Sequence, residues 1–447
     1  MTDRTDRPIR HRLFVTTRVA VALAIAAAAV AALPAVLAVV LAGAGIGVLI
    51  ALVVADARRA ARASDIRCER TVPVKLSIGV PNPVDVRLVN TSGQRARLSL
   101  RETPPVGFSG EREVRLVEVP PHGEVQITFH FTPPRRGGYR FGPVALRCIG
   151  GLGLAGWQWQ APLDQDVRVY PDIMAVSRYA LLARRGALRE LGIRALRRAG
   201  EGTEFESLRD YLPGDDYGDI DWKATSRRGT PVTRLYEVER SQVVVLAIDV
   251  GRMMTAMAGP LSKLDRAVNA ALLLCYLAIE HGDLVGLLVF GRDVVRYVPP
   301  RKGQRQFHAI LEALYSVEAR VEEPDYAGAM AYLTSRLGRR ALIVLMTDIV
   351  GRGPSERLLK VVGALVPRHL PLVICQRNRL TEVEASASVD DEISAFRVAV
   401  AQDLLRDKAE ALAILGARGS LILDVHPEEL SVAAVNRYLE IKARGRL

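Results

Sequence analysis

The chain contains 447 residues, of which 49% are hydrophobic, and its formal net charge is +12. This length exceeds what one core usually organises and predicts two or three domains. A basic balance suggests nucleic acid or anionic lipid as a partner, but only 5% of the residues are aromatic and no basic run is interleaved with aromatic residues. We therefore expect no nucleic acid as a partner.

The cysteines give no pattern of a metal site or a disulfide framework. They are Cys68, Cys148, Cys275 and Cys375. Their spacing contains no C-x-x-C pair, and the last two lie in apolar runs, which is typical of buried thiols. A reducing compartment fits this usage best.

Residues 13–54 form an apolar stretch whose only charge is Arg18. One membrane crossing needs roughly 20 residues, so a stretch of this length suits two. Pro34 lies near its midpoint, and we predict a transmembrane helical hairpin with helices at about Leu13–Ala32 and Ala35–Val54. A cleaved signal peptide is the alternative, but the apolar run of such a peptide spans only about 7–15 residues.

The flanks of the hairpin predict its orientation. Basic residues precede and follow the apolar stretch at Arg4, Arg7, Arg10, Arg12, Arg58, Arg59, Arg62 and Arg67. Positive flanks stay on the cytoplasmic side of a membrane. We therefore expect a protein of the cell inner (plasma) membrane with two transmembrane helices and with both termini in the cytoplasm.

Residues 68–172 have the pattern of an all-β domain. Short alternating segments are separated by Pro, Gly and Asn turns, which favours an immunoglobulin-like sandwich. The segments are Val74–Ile78, Val84–Val89, Ala96–Leu100, Val125–Phe131 and Val167–Tyr170. Residues 151–156 match the dinucleotide-binding pattern G-x-G-x-x-G, but a strand-like run follows them where that site needs a helix, so we interpret them as a loop of the sandwich.

Residues 178–240 are expected to contain a linker helix and then a dense block of polar residues from 202 to 240, here called the polar block. Its acidic side chains permit a metal site, a catalytic carboxylate pair or a salt-bridged structural and docking element. The spacing is not that of a calcium loop, and no nucleophile or base accompanies the carboxylates. Dense mixtures of Asp and Arg usually satisfy each other, so the third interpretation is favoured.

Turn chemistry organises the centre of the polar block. The pair Pro213-Gly214 predicts a tight turn, at which Asp215 and Asp216 can accept backbone N–H groups. A second local signal follows, because Asp219 or Asp221 can cap a short helix that Gly229 ends. Apolar side chains are expected to anchor the block, and they are Phe205, Leu208, Tyr211, Ile220 and Trp222.

Residues 241–447 alternate apolar strands with amphipathic helices, which predicts a doubly wound α/β domain with a parallel sheet. The strand Val243–Ile248 ends in Asp249, and the strand Ala341–Thr347 ends in Asp348. Both carboxylates are therefore expected at the carboxyl edge of the sheet. There they can cap or orient loops.

The polar block closely resembles the signature of the domain-of-unknown-function 58 family. The residues that carry the resemblance are Glu204, Phe205, Leu208, Arg209, Asp210, Tyr211, Gly214, Asp215, Asp216, Asp219, Ile220, Asp221, Trp222 and Arg227. One residue departs from it, because Gly218 stands where the family usually has Arg. The order of hairpin, β-domain and α/β domain matches the architecture of this bacterial family, so the resemblance spans nearly the whole chain.

The α/β part of that family resembles a von Willebrand factor type A domain, whose metal site uses D-x-S-x-S, a Thr from a second loop and a later Asp. In this chain Gly251 and Met253 replace both serines after Asp249, the second loop offers no Thr, and only Asp348 remains. A hard cation prefers several oxygen ligands, so we expect no bound metal at this degenerate metal-site edge. Arg252 is expected to place a positive charge there instead.

The resemblance implies a function as well as a fold. Family members commonly occur with MoxR-type AAA+ ATPases, which predicts a membrane-tethered, non-enzymatic interaction scaffold or adaptor that acts with such an ATPase in assembly or maturation of other proteins. No nucleotide-binding, zinc-protease or serine-hydrolase motif is present, and no cofactor is expected. A metal-dependent ligand-binding module and a hydrolase that uses the polar block are the alternatives.

Overall fold

The computed structural model describes residues 11–30, 34–184, 204–212, 215, 217–237, 241–349 and 352–445. The chain divides into two compact units, Met1–Tyr170 and Pro171–Leu447. The first unit contains two apolar helices and a β-domain. The second contains the polar block and an α/β domain, so the fold is that of a multidomain protein.

The N-terminal unit is built mainly from strands. They are β1 (Arg12–Val15), β2 (Ile66–Thr71), β3 (Lys75–Ser77), β4 (Asn82–Asn90), β5 (Ala96–Arg101), β6 (Ser109–Gly110), β7 (Arg115–Val119), β8 (Glu124–Thr132), β9 (Gly137–Phe141), β10 (Val144–Ile149), β11 (Ala155–Ala161) and β12 (Gln165–Tyr170). Three sheets have the orders β1-β11-β10-β5-β7, β2-β4-β8-β6 and β3-β12-β9. All five strand segments named from the sequence overlap strands of the structure.

The two apolar helices are α1 (Thr17–Val30) and α2 (Ala35–Arg59). Among the described residues, Val36–Arg59 is long and apolar enough to cross a membrane, with a mean hydropathy of 2.8. Helix α1 rises only about 21 Å, whereas a bilayer core is about 30 Å thick. The helix predicted to begin at Leu13 begins four residues later, because Arg12–Val15 pairs antiparallel with β11.

Alternation along the strands builds the core of the β-domain. In β4 every second residue from Asn82 to Asn90 is buried, as expected for a strand with one face on a core. Aromatic rings fill the interior, since Phe108 and Phe141 meet edge to face with ring centroids 6.0 Å apart. A buried ion pair joins Arg70 to Glu102, whose side chains are both almost fully inaccessible.

The C-terminal unit alternates helices and strands. They are α3 (Ile173–Arg184), β13 (Glu204–Asp210), α4 (Trp222–Arg228), β14 (Val232–Glu237), β15 (Val243–Asp249), β16 (Met257–Ala258), β17 (Leu261–Ser262), α5 (Lys263–Glu280), β18 (Leu284–Phe290), β19 (Val294–Arg301), α6 (Gln304–Tyr315), α7 (Tyr326–Thr334), β20 (Leu342–Met346), α8 (Arg352–Leu365), β21 (Leu370–Gln376), α9 (Arg379–Ala385), α10 (Glu392–Ala417), β22 (Leu421–Val425) and α11 (Leu430–Ala443).

The central sheet has the order β19-β18-β15-β20-β21-β22. Every residue of β15, β20 and β21 is buried, which is typical of strands covered on both faces. The predicted parallel sheet needs one correction, because β19 runs antiparallel to β18. Residues 291–293 between these two strands are too few for the crossover that parallel strands require.

The buried pair in the β-domain generates a stability prediction. Arg70→Met leaves the Glu102 carboxylate buried without its cation, which costs about 3–5 kcal/mol at neutral pH. Burial already raises the pKa of Glu102, and Arg70 opposes that rise. Without Arg70 the folded-state pKa of Glu102 rises further. As the pH falls through that pKa the carboxylate is protonated, so the variant regains the stability that it lost at neutral pH. Hydrogen exchange of peptides from β4 and β5 in the full-length protein measures the change.

The matched control is Arg87→Met, which removes an arginine from an exposed pair with Glu124 on the same domain. Such pairs contribute little because water and salt screen them. Equal protection of β4 and β5 in the two variants would show that the buried pair does not hold this domain together.

Candidate functional site

Two carboxylates lie at one edge of the central sheet. Asp249 is the last residue of β15, and Asp348 lies two residues beyond the end of β20. These strands are parallel neighbours in which Ile248 faces Met346. Because the carboxyl ends of parallel strands meet at the same edge, both side chains belong to one site, which we call the carboxyl edge.

Hydrogen bonds from three donors occupy the carboxylate of Asp249. The backbone N–H of Gly251 donates to Oδ1 at 2.7 Å, while the hydroxyls of Thr347 and Tyr326 donate to Oδ2 at 2.7 and 3.1 Å. Burial raises the pKa of Asp249, and these donors oppose the rise. The carboxylate therefore orients the loops on either side of it, as expected from the sequence.

A buried lysine neutralises Asp348. The Nζ atom of Lys263 contacts Asp348 Oδ2, and the two side chains are only 3% and 2% exposed. A second amine, that of Lys408, lies 3.6 Å from Asp348 Oδ1 and 2.8 Å from Asp424. Burial lowers the pKa of Lys408 but the nearby carboxylates outweigh it, so the net shift is upward and the amine stays charged. The carboxyl edge is thus an internal ion-pair network.

Local signals position Lys263 at this edge. It is the first residue of α5, whose N-cap Ser262 accepts the backbone N–H of Asp265. Its carbonyl oxygen accepts from Gln376 Nε2 at 2.8 Å, which ties the start of α5 to the end of β21. The positive charge at the carboxyl edge, expected from Arg252, therefore comes from Lys263.

Arg252 itself points away from the buried pair. Its Nε atom lies 2.6 Å from Glu323 Oε1, and its side chain is half exposed. Sequence reasoning selected Arg252 because it falls inside the D-x-S-x-S register. Lys263 lies 85 residues from its partner along the chain, and only the fold brings the two together.

The residues of the carboxyl edge do not fit a hard divalent cation. All four carboxylate oxygens of Asp249 and Asp348 already accept hydrogen bonds from protein donors. Met253 contributes a thioether, which a hard cation binds poorly. A side chain at Gly251 would meet Pro324 at 2.8 Å, so no hydroxyl fits at that position. Within the described ranges, no group of three or more His, Cys, Asp or Glu side chains is placed to hold a metal.

The polar block forms a small framed element. Strands β13 and β14 pair antiparallel, and Arg209 Nη2 lies 2.7 Å from Asp215 Oδ1. The other oxygen of Asp215 accepts the backbone N–H of Leu212 at 3.0 Å, as the turn chemistry predicted. That hydrogen bond is the main cause of the lowered pKa of Asp215, and the Arg209 side chain adds to it. The described part of the block matches the salt-bridged interpretation.

Helix α4 begins and ends at the residues that the sequence signals. Asp221 Oδ1 accepts the backbone N–H groups of Lys223 and Ala224 at 3.0 and 2.9 Å. Gly229 ends the helix with φ of 73°, a left-handed conformation that favours glycine. Of the two acidic residues proposed as the cap, Asp221 is the one in use. Arg227, in the last turn of α4, is exposed.

The block exposes large apolar side chains instead of burying them. Trp222 is 67% exposed, Tyr217 is 75% exposed and Leu212 is 58% exposed. Ile220 is buried, and the ring of Tyr211 lies 5.8 Å from that of Tyr217. The expectation that Trp222 anchors the block is therefore wrong. The three exposed side chains Leu212, Tyr217 and Trp222, here called the aromatic surface, face solvent on a framed backbone.

Part of the signature lies outside the described residues. This applies to Gly214, Asp216 and the side chains of Glu204, Phe205 and Asp219. Leu208 is described and is partly exposed, with 38% of its surface accessible.

The glycine-rich loop of the β-domain surrounds the carboxylate of Asp56, a residue that was not among those singled out from the sequence. Asp56, in the last turns of α2, accepts the backbone N–H groups of Leu152, Leu154 and Ala155 at 2.8, 2.7 and 3.0 Å. A side chain on Gly150 would meet this carboxylate at 2.3 Å. Converging N–H groups form a site for an anion, and here the protein's own Asp56 fills it. A strand follows the loop, so the dinucleotide interpretation stays excluded.

The fold and the site together define an α/β domain whose carboxyl edge is closed by lysines and which is preceded by a framed polar block. Residues 207–375 match the family described as "Protein of unknown function DUF58". The chain therefore carries a DUF58 domain.

The chain is also similar to curated proteins. It is 25% identical over 260 residues to Uncharacterized protein Rv1480 of Mycobacterium tuberculosis, covering 56% of this chain and 82% of the relative. It is 24% identical over 212 residues to Uncharacterized protein YeaD of Bacillus subtilis, covering 47% of this chain and 50% of the relative. The chain thus spans about half the length of YeaD.

Solved structures resemble parts of the chain. The conserved hypothetical protein BatB from Bacteroides thetaiotaomicron is 14% identical with a TM-score of 0.29, over 45% of this chain and 99% of BatB. The CARDB domain of the PF1109 protein from Pyrococcus furiosus is 18% identical with a TM-score of 0.18, over 24% of this chain and 92% of that domain. Scores of this size establish no shared fold.

The buried pair of the carboxyl edge generates a second stability prediction. Lys263→Met removes the amine that contacts Asp348 and leaves only Lys408, 3.6 Å away, to balance the buried carboxylate, which destabilises the α/β domain by up to about 3–5 kcal/mol. Adding Asp348→Asn removes the stranded charge, so the double variant recovers part of the loss. Urea unfolding of the full-length protein in detergent, followed by circular dichroism, compares the variants.

Arg252→Met is the matched control, because it removes one cation from an exposed pair at the same end of the sheet. We expect a much smaller loss from it. If Lys263→Met were as stable as Arg252→Met, the carboxyl edge would not depend on the buried amine.

Proposed function

We propose that the protein is a membrane-tethered, non-enzymatic interaction scaffold that acts with a MoxR-type AAA+ ATPase in assembly or maturation of other proteins. The observation that supports this most is the aromatic surface of Leu212, Tyr217 and Trp222 on the polar block. Tyr and Trp are enriched among the side chains that dominate binding energy at protein interfaces. A surface with two such exposed rings suits a protein partner.

The frame around the aromatic surface strengthens the proposal. The Arg209–Asp215 ion pair and the Asp221 cap fix the backbone on both sides of Tyr217. A surface that is ordered before binding loses less conformational entropy when a partner docks. Exposed Arg227 and Arg228 in the last turn of α4 form a basic rim, in which Arg228 lies 3.8 Å from Asp210 and Arg227 supplies the charge that suits a partner with an acidic surface.

The chemistry of the carboxylates favours a binding role over catalysis. Asp249 and Asp348 are held by internal donors, and Asp215 and Asp221 hold the frame of the polar block. A general base or a metal ligand needs an oxygen that can reach a substrate or an ion. In Asp249 and Asp348 all four carboxylate oxygens already accept hydrogen bonds from protein donors, which weighs against the metal-dependent alternative at the carboxyl edge.

Features of the C-terminal sheet support a von Willebrand factor type A-like fold for this domain. Its parallel strands, its antiparallel edge strand and its two Asp residues at the carboxyl edge suit such a fold. In this chain a buried amine takes the charge-balancing role that a metal has in that class. The domain would then bind its partner through side chains, without a bridging ion.

The N-terminal unit supports membrane tethering. Helix α2 has the length and the composition of a membrane span. Its end is fixed to the β-domain by Asp56 and by Trp157, whose Nε1 donates to the carbonyl of Ala57 at 2.9 Å. The basic residues on both flanks favour an inner (plasma) membrane protein with both termini in the cytoplasm. A cytoplasmic ATPase could then reach the polar block.

The aromatic surface yields an affinity prediction. Trp222→Ala should weaken binding of the purified MoxR-type ATPase from the same organism by roughly tenfold or more, as truncation of an interface hot spot does. Asp215→Ala should also weaken binding, because it releases Arg209 and the turn. Full-length protein in detergent, immobilised for surface plasmon resonance, measures both.

Val321→Ala is the control, since Val321 is 88% exposed and lies in the same unit but outside the polar block. Unchanged affinity in Trp222→Ala, with the protein still folded by circular dichroism, would exclude the aromatic surface as the docking site. Equal weakening in Val321→Ala would show a nonspecific effect.

The number of membrane crossings is tested by two fusions. A fluorescent protein that matures only in the cytoplasm is placed before Met1 in one fusion and after Leu447 in the other. Two crossings put both termini on the cytoplasmic side, so both fusions should fluoresce. One dark fusion would mean that only α2 crosses, and a dark fusion after Leu447 would also remove the α/β domain from the ATPase.

A further inference from the structure

One sheet of the β-domain carries an open cavity on its outer face. The cavity has a volume of about 1010 Å³, and its lining includes Arg12, Arg101 and Arg147. A cavity of this size can hold a small organic ligand. It lies within the N-terminal unit and shares no residue with the polar block or the carboxyl edge.

Strand register brings the three arginines onto one face. Arg12 lies opposite Gln158, Gln158 lies opposite Arg147, and these residues form a row across three adjacent strands. Ser99 of the neighbouring strand β5 lies opposite Arg147 and continues the row. Arg101 lies two residues further along β5 and therefore on the same face as Ser99. Neighbouring strands are about 4.8 Å apart, so Arg147 and Arg101 lie on adjacent strands, while Arg12 lies about 10 Å from Arg147 at the other side of the same cavity.

Within the described ranges, no ion pair balances the positive charge of the three cavity arginines. Among the described residues, no carboxylate lies within 4.0 Å of the guanidinium groups of Arg12, Arg101 or Arg147. Asp164 also lines the cavity, but it lies 3.8 Å from Arg140. By contrast, the other arginines of the same sheet face, Arg95 and Arg97, lie 3.4 and 3.0 Å from Glu118.

Neutral contacts orient the central arginine. Arg147 Nη2 donates to Gln158 Oε1 at 3.0 Å, and its guanidinium lies 4.7 Å from the ring centroid of Phe14. Both contacts position the group without consuming its charge. The remaining N–H donors of a planar guanidinium match the oxygens of a phosphate group.

We propose that this face binds a phosphate-bearing anion. The guanidinium groups of Arg101 and Arg147 contact the phosphate oxygens, and Arg12 and the amide of Gln160, which line the same cavity, add a positive charge and a further donor. Apolar side chains of Val114, Pro143 and Pro162 line the remaining volume, which suits the neutral part of an organic phosphate. Inorganic phosphate alone would leave most of that volume empty.

Two sources can supply such an anion. Strand β1 leads into α1 after a single residue, Thr16, so the cavity lies beside the start of the apolar helices, where a phospholipid headgroup is available to a membrane protein. A soluble organic phosphate is the other source. The two sources are separated by comparing a water-soluble phosphate ester with an anionic phospholipid.

The test uses full-length protein, stripped of lipid in a neutral detergent, and isothermal titration calorimetry. The probes are glycerol 3-phosphate, mixed micelles with phosphatidylglycerol, and mixed micelles with zwitterionic phosphatidylcholine. Saturable binding of glycerol 3-phosphate supports a soluble ligand. Saturable binding of phosphatidylglycerol alone supports a lipid headgroup. Failure of both phosphate probes, or equal binding of phosphatidylcholine, overturns the proposal.

The decisive variant is Arg101→Gln/Arg147→Gln, and we expect it to weaken binding on the order of tenfold or more, because two charge-assisted contacts are lost. The control, Arg95→Gln/Arg97→Gln, removes the same charge from the same sheet outside the cavity and should bind as the parent does. Equal weakening in both variants would show that binding depends only on the net charge of the protein, and it would overturn the proposed site. If the double variant does not fold, the single variant Arg12→Gln on the exposed strand β1 is compared with Arg95→Gln.

Discussion

The buried contact between Lys263 and Asp348 is the constraint on which the C-terminal domain depends. Taking an ammonium and a carboxylate out of water costs several kcal/mol for each ion, and only close pairing with further hydrogen bonds offsets that cost. The pair joins the first residue of α5 to the loop after β20, while Lys408 of α10 approaches the other oxygen of Asp348. Helices that are far apart in the chain thus meet at one carboxylate. The same carboxylate oxygens that a metal ion would need thus accept from Lys263 and from the backbone N–H of Ile349.

The protein solves the problem of buried acidic groups in several ways, and each solution limits what the group can do. Asp249 accepts from two hydroxyls and one backbone N–H, Asp56 accepts from backbone N–H groups of a loop, and Glu102 pairs with Arg70. A buried carboxylate with such donors stays fixed in place, and its burial would be costly without them. These carboxylates therefore position backbone segments. We propose that exposed side chains of the polar block and of the arginine-lined sheet face make the contacts with other molecules.

Local sequence signals predicted local structure well. Asp219 or Asp221 was predicted to cap a short helix that Gly229 ends, and α4 has Asp221 as its cap and ends at Gly229. Long-range pairing was not predictable from one sequence. Hydropathy cannot distinguish the strand β1 from the start of an apolar helix, since Leu13, Phe14 and Val15 suit both. Lys263 carried no signal either, because its role appears only where the fold brings it to Asp348.

The exposure of Trp222 is the strongest support for a binding role of the polar block. A single exposed apolar side chain is ordinary on a protein surface and needs no explanation. Trp222, however, directly follows the cap residue Asp221. Tyr217 lies two residues after Asp215, which is ion-paired with Arg209. Polar interactions of the chain therefore hold the backbone that carries these two exposed rings. Burying one large aromatic side chain contributes about 1.5–3 kcal/mol, a gain that this fold leaves unrealised within the chain. A partner that covers the aromatic surface would realise it, and the basic rim of Arg227 and Arg228 would select partners of opposite charge. On this ground we propose the polar block as a docking surface for a protein partner.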